Sequence, residues 1–292
     1  MTQPPRESID DLLRHIDLRP TDYDRFRGDV EQEEGRLFGG LVLAQSVMAA
    51  GRTVDKGDIH SLHAYFLRAG QPVEPIDYAV ERIREGRKFF TRRVTALQAG
   101  HTIFEASVSF TLTEEGLSHQ IPMPSAPDPE GQPSWWEMMQ KQMPPELRRQ
   151  MNRRRPGRRG WAMPIDIRGV SSGPKPGEEA LPYRAVWAKP VDPLPEDPLI
   201  HAAALAYMSD SGLVATVASV RMFTGGTSAS LDHAMWFHHP PHFDDWLLYV
   251  NESPAGHAAR ALIHGRMYRR DGALVASVAQ EGLFREGQPQ KG

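Results

Sequence analysis

Two segments of the chain are apolar at nearly every position over about ten residues each. Residues 41–50 read LVLAQSVMAA, and residues 199–208 read LIHAAALAYM. A helix that is apolar nearly all round is a buried helix, and both segments are too short to cross a bilayer. Asp197 and Pro198 precede the second segment and fit the N-cap and the first helical position. The pattern therefore predicts two buried helices.

After each apolar segment the side chains alternate between apolar and polar. In residues 103–112 the even positions are apolar and the odd positions 105–111 are polar. A period of two with one polar face is typical of a strand in an antiparallel sheet. The pattern predicts strands over residues 60–67, 78–83, 89–97, 103–112, 165–170, 183–188, 214–220, 230–238, 246–251, 258–268 and 274–284.

The order of one buried helix and then a series of strands occurs twice. The sequences of the two halves can be aligned by matching His63 with His233 and the turn residue Gly100 with Gly272. A helix wrapped by an antiparallel sheet, twice in one chain, predicts an α+β double hotdog. We expect an N-terminal hotdog over 1–115, a Pro- and Arg-rich linker with a short helix near 135–141 over 116–160, and a C-terminal hotdog over 161–292.

Composition narrows the classes of function. The 292 residues are 40% hydrophobic and 24% charged, which is enough to bury a core. Cys is absent, which excludes disulfides, thiolate metal sites and Cys nucleophiles. The net charge of −3 gives no general attraction to nucleic acid or anionic membranes, and the polar N-terminus lacks the apolar region of a secretory signal. We expect a cytoplasmic enzyme or small-molecule binder, with no nucleic-acid or membrane partner.

The two halves differ where polar side chains replace apolar or neutral ones. Gln280 shares the apolar face of its strand, where the first half has Val108. A buried amide is costly unless it is hydrogen-bonded. Asp210 follows the second buried helix, at the negative end of the helix dipole, which is unfavourable for a carboxylate. Ser230 begins the strand SLDHAMWFH. Together these side chains can hold and polarise one water molecule.

The resemblance to a known family rests on segments spread along the chain. They are LFGGLVLAQ at 37–45, HSLHAYFLRAG at 60–70, AYMSD at 206–210, LDHAMWFHHP at 231–240 and DGALVASVAQEGLFR at 271–285. A chain with these segments resembles the acyl-CoA thioesterase II family. The resemblance implies a double hotdog that hydrolyses fatty acyl-CoA without a cofactor, with the family's catalytic Asp on Asp210, its Gln on Gln280 and its Thr on Ser230. Serine keeps the hydroxyl but loses the methyl group that stiffens threonine.

Other functions stay open on the sequence alone. A non-catalytic acyl-CoA binder or sensor is one alternative, because Ser230 departs from the family's Thr. A hotdog enoyl-CoA hydratase is a weaker one, because no His follows Asp210 in SGLVATVAS. The Arg-rich residues 148–159 could attract coenzyme A phosphates or form a solvated linker. We expect no metal at His233, His238, His239 and His242, whose spacing fits no metal motif. Hotdog sheets leave faces and edges that find partners, so we expect a homo-oligomer, a dimer or tetramer.

Overall fold

The computed structural model describes residues 9–30, 37–135, 137, 164–171, 183–221 and 227–285. In this part of the chain the helices are α1 (Ile9–Ile16), α2 (Gly39–Gly51), α3 (Pro198–Ser209) and α4 (Leu213–Arg221), with a 3-10 turn at Pro129–Gly131. The strands are β1 (Arg19–Asp22), β2 (Arg25–Gly28), β3 (Asp58–Phe66), β4 (Ile76–Glu85), β5 (Phe89–Gln98), β6 (His101–Thr111), β7 (Ile165–Ser171), β8 (Tyr183–Pro190), β9 (Thr227–Ser230), β10 (Asp232–Phe237), β11 (Leu247–His257), β12 (Arg260–Arg269) and β13 (Leu274–Arg285).

The strands named above form one antiparallel sheet that runs through both halves. Its order is β1-β2-β4-β5-β6-β3-β10-β13-β12-β11-β8-β7. The short strand β9 pairs with residues 282–285 of β13, whereas β10 pairs with residues 276–279 of the same strand. Strand β3 of the first half pairs with β10 of the second half, with Leu62 opposite Met235 and Ala64 opposite His233. The halves therefore share one continuous sheet, and the predicted α+β double hotdog is confirmed.

Helices α2 and α3 lie side by side and antiparallel in the core. Gly40, near the start of α2, approaches the Tyr207 carbonyl oxygen near the end of α3, and Gly51 at the end of α2 approaches the Leu199 side chain at the start of α3. Both helices also contain alanines that are fully buried, such as Ala44 and Ala204. Small side chains let the two backbones approach closely, so the N-terminus of α2 meets the C-terminus of α3.

Both predicted buried helices are confirmed, and so is the start of α3. The Asp197 side chain accepts the Leu199 N–H at 2.9 Å, and Pro198 is the first helical residue. Gly100 and Gly272 have φ angles of 76° and 90°, as expected of turn residues where a side chain would be strained. The structure adds the short strands β1 and β2, which sequence periodicity did not reveal because four residues are too few to show it.

The prediction of a strand over 214–220 is wrong, because these residues belong to helix α4. Their β-branched side chains favour a strand by local propensity. However, Leu213 and Thr216 are both fully buried, and a spacing of three residues places them on one face of a helix. Gly212, with a φ of 84°, interrupts the helical backbone conformation between α3 and α4. Helix α4 then packs against β8, β9, β11 and β12.

Two further details of the sequence prediction are corrected. The predicted strand over 230–238 is split at Leu231, so Ser230 ends β9 and does not begin β10. The alignment of His63 with His233 is off by one residue, because His63 is exposed on the outer face whereas His233 is buried on the inner face. A slip of one residue exchanges the two faces of a strand. The residue of β3 equivalent to His233 is Leu62, which pairs with Val108.

Two of the predicted features in the linker fall wholly or mostly outside the described residues. Of the predicted helix at 135–141 the structure describes 135 and 137, and the Arg-rich residues 148–159 lie outside the described chain. The helices that are described include none long and apolar enough to cross a membrane.

The close contact of α2 and α3 predicts unequal effects of two Gly→Ala substitutions. In Gly40→Ala the new methyl group meets the Tyr207 backbone oxygen and the Phe38 ring, neither of which can move freely. We expect the free energy of unfolding to fall by about 1–3 kcal/mol through overpacking. In Gly51→Ala the methyl group meets the flexible Leu199 side chain, and the helix-propensity gain of about 1 kcal/mol offsets the contact. Urea unfolding measures both; equal losses would contradict this packing.

Candidate active site

The three predicted site residues come from three different elements of the second half. Asp210 is the C-cap of α3, with φ −81° and ψ −11°. Ser230 ends β9 opposite Gly282 of β13, and Gln280 lies on the inner face of β13 opposite Ile263 of β12. The structure brings all three together beneath the end of α3.

The side chains form a short hydrogen-bonded chain. The Gln280 Nε2–H donates to Ser230 Oγ at 2.9 Å, and the Ser230 hydroxyl lies 3.5 Å from Asp210 Oδ1. Gln280 is fully buried and Asp210 is half-buried. A carboxylate, a hydroxyl and an amide thus lie next to one another and offer both hydrogen-bond acceptors and donors, which is a suitable environment for a polarised water molecule.

The N-terminus of α2 forms the other wall of the site. The Gly40 N–H lies close enough to the Asp210 carboxylate to lower its pKa, and a Cβ atom placed on Gly39 would lie 2.7 Å from Asp210 Oδ2. The N-cap Phe38 makes no side-chain cap. Backbone N–H groups and the helix dipole at such an N-terminus attract negative charge. The first half therefore contributes an anion-stabilising helix end to a site whose side chains belong to the second half.

Burial raises the pKa of Asp210 above its ordinary value of 3.8, because a low-dielectric site disfavours the charged carboxylate. The positive charge that His233 can carry, and hydrogen bonds from Gln280, Gly40 and Ser230, act in the opposite direction without cancelling this rise. A carboxylate with a raised pKa accepts a proton more readily than an ordinary aspartate does. Asp210 is therefore suited to act as a base.

Sequence reasoning missed a set of residues that lies directly behind the site. His233 is buried between Gln280 and Ser209: its Nδ1 lies 2.6 Å from Gln280 Oε1, and its Nε2 lies 2.8 Å from Ser209 Oγ. The Tyr249 hydroxyl donates to the Ser209 carbonyl at 2.7 Å. The alignment slip hid His233, because it matched this residue with the exposed His63. Burial lowers the pKa of His233, so its ring is neutral at neutral pH.

Two of the four histidines considered as metal ligands contact other side chains in the described chain. His233 contacts Gln280 and Ser209, and His238 lies 2.8 Å from the Ser277 hydroxyl. His242, also one of the four, forms a group with His201 and Asp244 in which the ligand atoms lie within 4.8 Å of one another. It lies at the opposite end of α3 from Asp210, and His201 Nδ1 already accepts the Phe243 N–H at 2.9 Å.

The raised pKa of Asp210 predicts that Asp210→Asn stabilises the fold at neutral and alkaline pH. The folded state holds the Asp210 proton more tightly than the unfolded state, so its stabilising contribution is present below pH 3.8 and is lost as pH rises through the folded-state pKa. Asparagine carries no charge and avoids that loss. Thermal unfolding from pH 5 to pH 8.5 should show an advantage of the variant that shrinks as pH falls. The exposed Asp55→Asn is the control, and an Asp210→Asn variant less stable than the parent at pH 8.5 would contradict the assignment.

Comparisons with known proteins agree with this architecture. The family described as acyl-CoA thioesterase matches residues 163–283, and the family described as acyl-CoA thioesterase N-terminal domain matches residues 27–111. The chain is 37% identical to acyl-coenzyme A thioesterase 8 of Mus musculus, over 92% of this chain and 87% of that protein. It is 33% identical to acyl-CoA thioesterase 2 of Haemophilus influenzae, over 95% of this chain and 98% of that protein.

Solved structures give the same result for the fold. An acyl-CoA thioesterase II from Mycobacterium marinum has a TM-score of 0.77 and is 38% identical, over 97% of this chain and 99% of that chain. A hotdog-fold protein from Alicyclobacillus acidocaldarius has a TM-score of 0.76 at 20% identity, over 96% of this chain and 98% of that chain, which shows the fold alone. The family matches and the identity over nearly the whole chain establish that the protein belongs to the acyl-CoA thioesterase family.

Proposed function

We propose that the protein hydrolyses fatty acyl-CoA to a free fatty acid and coenzyme A, by means of a water molecule held by Asp210, Ser230 and Gln280. The observation that carries the proposal is the junction of a carboxylate, a hydroxyl and an amide in one half of a duplicated fold. The first half has the apolar Val108 at the position equivalent to Gln280. Burying polar side chains costs free energy, and only one of the two equivalent halves buries them at this position. Their presence there indicates a function.

Each side chain has a distinct part in the proposed reaction. Asp210 takes a proton from the water as the water oxygen bonds to the thioester carbon. Ser230 and Gln280 hold the water and direct its lone pair, and the Gln280 Nε2–H already points toward Ser230. Collapse of the tetrahedral intermediate breaks the C–S bond. A thiol is far more acidic than an alcohol, with a pKa of about 8.5 in cysteine, so the coenzyme A thiolate departs readily and needs at most the proton that Asp210 received.

The oxyanion of the intermediate needs hydrogen-bond donors of its own. The N-terminus of α2 supports this part of the proposal, because Gly39 and Gly40 of its first turn lie beside Asp210 and no side chain of the N-cap residue caps this helix end. The water is held by the second half and the oxyanion by the first half. Both halves are then needed for one active site, even though only one half carries its acid, hydroxyl and amide.

The test is the release of free thiol from acyl-CoA esters of short, medium and long chain. We expect the parent protein to release thiol, and Asp210→Asn to lose about 10²–10⁴-fold in kcat because the base is absent. Asp55→Asn removes an exposed carboxylate just beyond α2 and should change kcat less than about twofold.

Two outcomes would contradict the proposal. Stoichiometric binding of acyl-CoA without thiol release from any ester would favour a binder or sensor. Thiol release that Asp210→Asn leaves near the parent rate, in a folded variant, would keep the hydrolysis but remove Asp210 from its role.

A further inference from the structure

His233 is a buried titratable side chain that the proposed reaction does not use directly. It is 1% exposed and lies on the inner face of β10, one position beyond the pair of Ala234 with Ala279, and therefore opposite Gln280. Both ring nitrogens have partners: Nδ1 lies 2.6 Å from Gln280 Oε1, and Nε2 lies 2.8 Å from Ser209 Oγ.

The orientation of the Gln280 amide follows from its surroundings. One end of the amide lies beside Ser230 Oγ and the Asp210 carboxylate. An ionised carboxylate can only accept hydrogen bonds, so the NH₂ group must face that side. The carbonyl oxygen then faces His233. Because a carbonyl oxygen also only accepts, His233 Nδ1 must carry a hydrogen at this contact.

The other side of the ring fits the same assignment. A neutral ring with its hydrogen on Nδ1 has a lone pair on Nε2, which accepts the Ser209 hydroxyl hydrogen. If the ring gains a second proton, Nε2–H donates to Ser209 Oγ, and the hydroxyl can turn to the Ala206 carbonyl at 2.8 Å. Nδ1 keeps its hydrogen in both states, so the orientation of Gln280 does not depend on the charge of His233.

We propose that His233 is a positioning residue for hydrolysis: its Nδ1–H holds the Gln280 carbonyl and so keeps the Gln280 NH₂ group directed at the site of the attacking water. The effect on catalysis rests on the proposed function. Without this donor the amide is free to turn over, which would set its carbonyl oxygen against the Asp210 carboxylate. Two acceptors would then face each other, and the water would lose a donor that orients it.

In the first half of the molecule, the positions equivalent to His233 and Gln280 are occupied by apolar residues. There Leu62 pairs with Val108, and both are fully buried. An apolar pair is the simpler solution at this position of the fold, and the second half replaces both members with polar ones. Neither His233 nor Gln280 is explained by packing alone, since each would be a costly buried polar group without the other.

Three variants test the proposal through kinetics. His233→Leu installs the first-half residue and should lower kcat by about 10²–10³-fold, the loss typical of one misplaced hydrogen-bond donor, with KM changed less than about threefold. His233→Asn keeps an N–H donor near the position of Nδ1 and should retain kcat within about tenfold of the parent. His63→Leu, on the exposed outer face of β3, is the matched control and should behave as the parent. A folded His233→Leu variant with parental kcat, or a His233→Asn variant as slow as His233→Leu, would overturn the proposal.

A spectroscopic test does not depend on activity. The protein is labelled with ¹⁵N-histidine and studied by NMR at about pH 8, where a His with a lowered pKa is neutral. The His233 signals are those that are absent from a folded His233→Asn variant. They should show the hydrogen on Nδ1. A hydrogen on Nε2 would overturn the proposal even if thiol release proceeds as expected. If the parent protein releases no thiol while His233 shows the Nδ1–H form, the proposed function fails and the assignment of the Gln280 amide stands.

Discussion

The close antiparallel contact of α2 with α3 is the constraint on which the rest of the site depends. Glycines at both ends of α2 and alanines in both helices leave room for this contact, and at one end Gly40 lies against the Tyr207 carbonyl oxygen. This contact brings the N-terminus of α2, with the Gly40 N–H, against Asp210 at the end of the other helix. A carboxylate at a helix C-terminus is unfavourable taken alone. In this site the opposing N-terminus compensates in part, and the remaining cost of burial appears as the raised pKa that makes Asp210 a better base.

Duplication gives the molecule an internal comparison between a half with a polar site and a half without one. Leu62 and Val108 pack as ordinary core residues, while His233 and Gln280 occupy the equivalent places and hydrogen-bond to each other. The first half still contributes to the site, because the N-terminus of its helix α2 forms one wall of it. The two halves therefore contribute different groups, one half an acid, a hydroxyl and an amide side chain, and the other half the backbone of a helix N-terminus.

The sequence was informative where a local pattern determined the outcome. The two all-apolar helices, the Asp197 cap and the lone amide of Gln280 on an apolar face each follow from a few neighbouring residues. It was misleading where tertiary contacts override local preference. Residues 214–220 favour a strand by their β-branched side chains, but Gly212 and the burial of Leu213 and Thr216 make them a helix. His233 was assigned to the wrong face because the short motif shared with His63 outweighed the register, which only strand pairing fixes.

In the proposed reaction Asp210 activates a water molecule and does not itself attack the thioester. The most direct measurement is one turnover in H₂¹⁸O with the protein in excess over acyl-CoA. Direct attack by water predicts that the fatty acid released in that turnover carries one ¹⁸O atom, and that the peptide containing Asp210 carries none. If Asp210 attacked the thioester, water could open the resulting anhydride at either carbonyl carbon, and opening at the Asp210 carbonyl is the outcome that distinguishes the two routes. The first fatty acid would then carry only ¹⁶O, the label would be found in Asp210, and the role of Asp210 as a general base would be contradicted.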